Sequence, residues 1–298
     1  MVSVICVGIA LLDQIFKTPV IPTSGGKHFA TDYMEAGGGP AATGAVAAAR
    51  LGADTRLWAR VGSDGVGTSV IGELAGYGVM TDEMRRVPDA RSSLATVIVD
   101  DTGERMILSF PSPDLDWHAD WLPLDAVKDA DAVLADVRWQ PGAAAALRAA
   151  RDAGKPALLD ADQSDDDISP LVEIATHAAF SEVGLKKYTQ TSDRMDALRV
   201  ATDKAPGWVC VTAGSDGCYW LEDGNLRHQP GFKIDVIDTT GAGDVFHGAL
   251  AVALGEGLDV AHAVRFASAA AALKCTRLGG RAGIPARAEL DGFLSENP

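Results

Sequence analysis

Asp238-Thr239-Thr240-Gly241-Ala242-Gly243-Asp244 is followed at once by the apolar run Val245 to Leu254. Glycines opening a helix leave backbone N–H groups unpaired, and the helix dipole adds positive potential there, so the place suits a phosphate or a developing anion. A fixed carboxylate at Asp244 would repel a resting phosphate. It makes sense as a base that takes a proton from a hydroxyl while the amides of Gly241, Ala242 and Gly243 hold the phosphoryl group under attack. The plainer alternative is an N-capping Asp with glycines that only turn the chain. Asp238, Thr239 and Thr240 in front of it argue for the chemistry, which is phosphoryl transfer to an alcohol.

Lys27 and Arg138 speak to the other end of such a substrate. Arg138 follows Ala132 to Val137, just past the carboxyl end of a strand, where open α/β sheets place ligands. Lys27 sits beside Gly25 and Gly26. Two cations at a sugar pocket suit a terminal oxyanion, Arg as a planar fork and Lys as a point charge. Spacing alone leaves solvated surface charges as an equal alternative. His247, one turn after Asp244, either approaches the site or packs within its helix. Asp160 and Asp162 either face phosphates through water or cap the next helix.

Other motifs fail on context. Gly37 to Ala42 fits a dinucleotide fingerprint, but it does not follow the first strand, and the next strand ends at Arg60 with no ribose-binding acid. Gly25-Gly26-Lys27 is not a phosphate-binding P-loop, because His28 stands where Ser or Thr would hold magnesium. The six histidines show no zinc-protease spacing.

The elements that must position these residues follow from periodicity. The chain has 298 residues, 47% of them hydrophobic, enough for a sizeable core. Val2–Val7 reads as a buried strand, Pro40–Leu51 as a helix, Thr55–Val61 as a strand and Val66–Tyr77 as a helix. Ala132–Ala135, Ala157–Leu159, Ala178–Phe180 and Trp208–Val211 read as short strands, with helical composition at Ala143–Ala153 and Met195–Asp203. This alternation predicts an α/β fold with a mostly parallel sheet and helices on both faces. Gln14–Tyr33 and Ser92–Phe110 read instead as hairpin material, the second turning at Asp100 to Gly103.

A net charge of −15 argues against nucleic acid and against anionic membrane surfaces, and it makes a local basic anchor necessary for an anionic substrate. Cys6, Cys210, Cys218 and Cys275 are scattered, which predicts reduced thiols and a cytoplasmic protein. No run has the length of a membrane span, and the N-terminus reads as a strand rather than a signal peptide.

The string Asp238 to Asp244 resembles the signature of the ribokinase-like (PfkB) family of carbohydrate kinases. Further ordered matches are Gly8 and Asp13, Gly38-Gly39 with Ala45–Gly52, Val61–Asp64 with Gly67, Val211–Gly217, and Arg265–Cys275 with Gly279–Pro285. The resemblance implies one ribokinase-like domain over residues 1–298 with a discontinuous β lid from about 14–34 and 92–110, and often a homodimer through that lid. It implies ATP and Mg²⁺ as cofactors, Asp244 as base, and Asp13, Gly38, Gly39 and Thr43 around the sugar. Thr212, Gly214, Ser215 and Gly217 would frame the nucleotide, with Gly279–Pro285 closing the adenine side.

The chain also departs from that pattern. Thr43 replaces an Asn that contacts sugar hydroxyls. Gly184 replaces the Glu of an N-x-x-E motif near the metal, leaving the metal's partners open between water, Glu182 and the nucleotide phosphates. Within the family, Gly37–Gly52, Phe110–Asp114, Ala135–Trp139, Asp238–Leu254 and Lys274–Pro285 are similar to the 6-deoxy-6-sulfofructose kinases. That likeness implies a small anionic sugar phosphorylated at its C1 hydroxyl, with Lys27, Arg138 and Ser109 at the sulfonate. Ser109 stands for an Asn and offers a single hydroxyl. Fructose 6-phosphate, tagatose 6-phosphate and neutral ketoses are the alternative substrates, and a non-catalytic sugar or nucleotide sensor is the alternative from another class.

Overall fold

The computed structural model describes residues 1–298. Its larger sheet begins with β1 (Ser3–Val7), in which Val4 and Cys6 enter one core and Ile5 and Val7 the other. Both faces of this strand are therefore buried, as a parallel sheet with helices on each side requires. β1 pairs in parallel with β4 (Asp54–Trp58) on one side and β9 (Ala132–Asp136) on the other. The sheet continues through β10 (Ala157–Ala161), β11 (His177–Ser181) and β12 (Trp208–Thr212), all parallel. It ends in the antiparallel pair β13 (Cys218–Glu222) and β14 (Asn225–Gln229). The Asp223-Gly224 turn of that hairpin, with φ of 51° and 75°, is the one strong hairpin signal the sequence reading passed over.

Strand order reverses between β1 and β9, so the carboxyl ends of these two strands open the crevice where ligands of doubly wound sheets bind. One face is covered by α1 (Pro40–Arg50), α7 (Ala242–Gly255) and α8 (Val260–Cys275). The other is covered by α3 (Gln140–Asp152), α4 (Ser169–Ile174) and α6 (Arg194–Lys204). α1 starts with Pro after Gly39, whose φ of 100° is left-handed; a Cβ there would lie 2.4 Å from the Ile9 carbonyl. α1 and α7 cross at two glycines, where a Cβ on Gly248 would come 2.3 Å from the Gly44 carbonyl. This close crossing sets the starts of both helices side by side.

A second sheet joins β2 (Leu11–Lys17), β3 (Asp32–Gly38), β7 (Leu94–Val99) and β8 (Arg105–Phe110) in the order β3-β2-β7-β8. The first hairpin differs from the expected Gln14–Tyr33, because its strands start three residues earlier and end later, with a long connection between them. Hydrogen-bonded pairing carries both strands into the Leu11↔Gly38 end, where glycines hide the strand signal. The expected strand Thr55–Val61 is likewise divided. After Trp58 the chain leaves the large sheet, and β5 (Arg60–Gly62) pairs with β6 (Arg85–Val87). A continuous apolar run carries no mark of a change of partner. No helix is long and apolar enough to cross a membrane.

Candidate active site

Asp136 ends β9 at the crevice, and its carboxylate accepts from the Ile9 and Arg138 amides at 2.9 Å each and from Ala41 at 3.1 Å. It ties the end of β1 to the first turn of α1. Burial pushes it up to about 6 against those hydrogen bonds.

α7 begins beside this point. Gly241 caps it at φ 73°, with no side-chain cap. The Ala242 amide donates to the Thr239 carbonyl at 3.2 Å. The amides of Gly241, Gly243 and Asp244 are the ones left without a protein partner. Asp244 lies in the first turn, and a Cβ placed on Gly241 would come within 3.8 Å of its Oδ2. Burial, reinforced by the charges of Asp160, Asp162 and Asp136 and opposed by His247, lifts the Asp244 carboxyl to about 7. A carboxylate held there exchanges its proton near neutrality, as a general base must.

Thr212, Gly214, Ser215 and Gly217 line one cleft of about 690 Å³ together with Thr239, Ala242 and Gly243. The residues expected at the nucleotide thus share a cavity with the loop expected at the phosphates. Phe232, Val236, Phe246 and Cys275 add apolar wall. Gly279–Pro285 is absent from that lining. Arg281 of this loop turns the other way: its guanidinium donates to the Gly38 carbonyl at 2.8 Å and lies 3.5 Å from Thr43 Oγ1 and 3.3 Å from Glu73. Arg281 thus contacts the Gly38–Thr43 side, while the Gly279 amide of the same loop donates to the Asp238 carboxylate at 2.9 Å. The sequence reading passed over Arg281, whose signal was the glycine-flanked run Gly279-Gly280-Arg281.

Asp13 on β2 lies against Gly38, where an added Cβ would be 2.4 Å from its Oδ2. Burial raises its carboxyl to about 6, with Arg281 pulling the other way and Glu73 adding to the rise. Thr43 is buried in α1, one turn from Gly39 and next to Gly241. Asp13 pairs in register with Ala95, and Ala95 with Ser109, so Ser109 shares a row and a face of the small sheet with Asp13, about 10 Å away at the spacing of two strands.

Lys27 and Arg138 share no hydrogen-bond or ion-pair partner that would bring them together. Lys27 is exposed in the connection between β2 and β3, its ammonium 5.2 Å from the Phe29 ring centre. Arg138 reaches the crevice but pairs with Asp162 at 3.3 Å. Glu182 is taken by Arg194 at 2.6 Å. A side chain at Gly184 would place its Cβ 2.3 Å from the Ala161 carbonyl, so packing excludes a Glu there.

Comparison with known proteins agrees with this geometry. Residues 1–287 match the pfkB family carbohydrate kinase model. The chain is 29% identical to a ribokinase of Bacillus subtilis, over 98% of this chain and 99% of that one. It is 28% identical to a fructokinase of Vibrio alginolyticus over 89% and 94%. A crystal structure of a ribokinase candidate from Agrobacterium tumefaciens superposes with a TM-score of 0.94 at 38% identity, covering 99% and 97%. The Arabidopsis thaliana ribokinase complexed with ribose and ATP gives 0.87 at 26% identity, covering 99% of each chain. With nearly its full length matched and the helix-start carboxylate in place, the chain belongs to the pfkB family of carbohydrate kinases.

Proposed function

We propose that this sugar kinase transfers the γ-phosphoryl group of ATP to the C1 hydroxyl of 6-deoxy-6-sulfofructose, giving the 1-phosphate. The observation that carries the kinase chemistry is Asp244, a carboxylate lifted to about 7 at a helix start whose loop lines the same cleft as Thr212 to Gly217. Asp244 takes the proton of the C1 hydroxyl as its oxygen bonds to the γ-phosphorus and the bond to ADP breaks. The free amides of Gly241 and Gly243 meet the charge on the transferring group. Asp13, Gly38, Gly39 and Thr43 hold sugar hydroxyls. Lys27, Arg138 and Ser109 face the sulfonate, Arg138 exchanging Asp162 for the substrate anion.

No three His, Cys, Asp or Glu side chains are grouped to cage a metal ion. With Glu182 paired and Gly184 bare, the residues fit Mg²⁺ carried by the nucleotide phosphates and water, the usual state of that ion at phosphates. When bound it neutralises phosphate charge. The Arabidopsis thaliana relative complexed with ribose and ATP supports ATP as the donor.

A second reading, a neutral sugar such as ribose or fructose, is favoured by Arg138 already having Asp162 as a partner and by the names of the relatives. Initial rates with sulfofructose, fructose 6-phosphate, fructose and ribose decide between them. Highest kcat/KM on sulfofructose is expected, and a preference for ribose or fructose overturns the sulfonate assignment. Absence of single-turnover transfer to every sugar would make the protein a sensor instead.

A further inference from the structure

Beneath Asp244 lies a buried pair that the mechanism above leaves unused. His247 follows Asp244 by one helical turn on α7, so both side chains lie on the same face. Its Nδ1 sits 3.1 Å from Asp160 Oδ2, at the end of β10. His247 is 4% exposed and Asp160 3%, and neither ring nitrogen of His247 nor Asp160 Oδ1 has a hydrogen-bond partner, so the contact between the two is one of charge. Native proteins leave buried polar atoms unpaired rarely, so such atoms call for an explanation in strain, a bound water or ion, or catalysis.

The surroundings supply one. Asp136 from β9, Asp160 from β10 and Asp162 just beyond it all act on Asp244 with like charge. The cations in reach are His247 and Arg281, and Arg281 is committed to Gly38 and Glu73. Arg138 is spent on Asp162. Like charge from three further carboxylates disfavours the ionised form of Asp244, so a counter-charge beside it favours that form.

We propose that His247, held by Asp160, is a positioning residue for the catalytic base, its imidazolium supplying the counter-charge that lets Asp244 ionise. The proposal rests on the reading of Asp244 as base. Burial by itself would keep the ring neutral, but the Asp160 carboxylate 3.1 Å away, with Asp244 and Asp162, outweighs it and holds the imidazole protonated beyond its ordinary range. His247 is buried and is not among the residues lining the cleft, so its effect falls on the ionisation of Asp244 and not on binding.

The test is kcat/KM against pH, with saturating ATP and Mg²⁺, for the wild type, Asp244→Asn and His247→Gln. His247→Gln is expected to move the acid limb upward by about one pH unit, the scale of one nearby charge, while KM for ATP and sugar stays within about twofold. A limb that does not move, or an equal loss at every pH, overturns the proposal. NMR titration of the His247 ring in the wild type gives a reading independent of any variant. A midpoint above that of an ordinary imidazole is expected, and one at or below it overturns the proposal. Near-normal turnover in Asp244→Asn would instead sink the base assignment, a result seen without any His247 variant.

Discussion

The fully buried ammonium of Lys274 donates to the Asp238 carbonyl at 2.7 Å and lies 3.7 Å from the Asp238 carboxylate. That carboxylate also accepts from the Thr240 amide, the Thr240 hydroxyl and the Gly279 amide, and it pairs with Arg105 of β8 at 3.0 Å. One aspartate thus joins the small sheet, the helix-start loop and the C-terminal loop, with a lysine from α8 beneath it. Lys274→Met should remove about 1.5–3 kcal/mol of unfolding free energy, the scale of a hydrogen bond to a charged group. It should also lower kcat more than KM, because the Thr239–Gly243 loop loses its support. Urea denaturation and steady-state rates check this, and unchanged values in both would show the contact to be idle.

Asp244→Asn should cost 10²- to 10⁴-fold in kcat, roughly the worth of a general base. The same substitution should raise the melting temperature at pH 8. The folded carboxyl is lifted to about 7, above its unfolded value, so ionising it costs stability as pH rises from about 4 through 7. Asn removes that cost. Thermal melts at pH 5 and pH 8 should show the larger gain at the higher pH; a lower melting temperature at pH 8 would contradict the burial argument.

The wild-type enzyme should gain activity as pH rises through about 7, since only the ionised Asp244 accepts a proton. Asp13, raised to about 6, should be ionised before that point is reached. A pH profile flat from 5.5 to 8 would count against Asp244 as base.

Arg138→Ala should reduce kcat/KM for sulfofructose by about tenfold or more, the lower range for a charged hydrogen bond. It should cost far less with fructose, which has no anion to anchor, and Lys27→Ala should act in the same direction. An unchanged ratio between the two sugars in both variants would make these side chains surface charges and leave the kinase reading standing.

Tyr33, Met34, Met106, Ile107 and Leu108 expose apolar surface on the edge strands of the small sheet. We propose that this small sheet pairs two copies of the chain, Tyr33, Met106 and Leu108 lying on one of its faces and Met34 and Ile107 on the other. Sedimentation should give a dimer that Ile107→Glu with Leu108→Glu converts to a monomer. A wild-type monomer at working concentration with full activity would remove the proposal.

The sequence by itself determined the family, the alternation of strands and helices, and the helix-start loop from Asp238 to Asp244. These are local signals: periodic burial, a Pro or Gly at a boundary, a contiguous string of residues. What lies between separated segments was decided by tertiary structure alone. Arg281 binding at Gly38, the Lys274–Asp238 contact and the Asp160–His247 pair each join residues far apart in the chain, and no spacing records such a meeting. The division of the Thr55–Val61 run was hidden for the same reason, since strand partners are chosen by hydrogen bonds between distant backbones. Chemistry was written in a short string; the charges that tune it came together only when the sheet closed at its switch point.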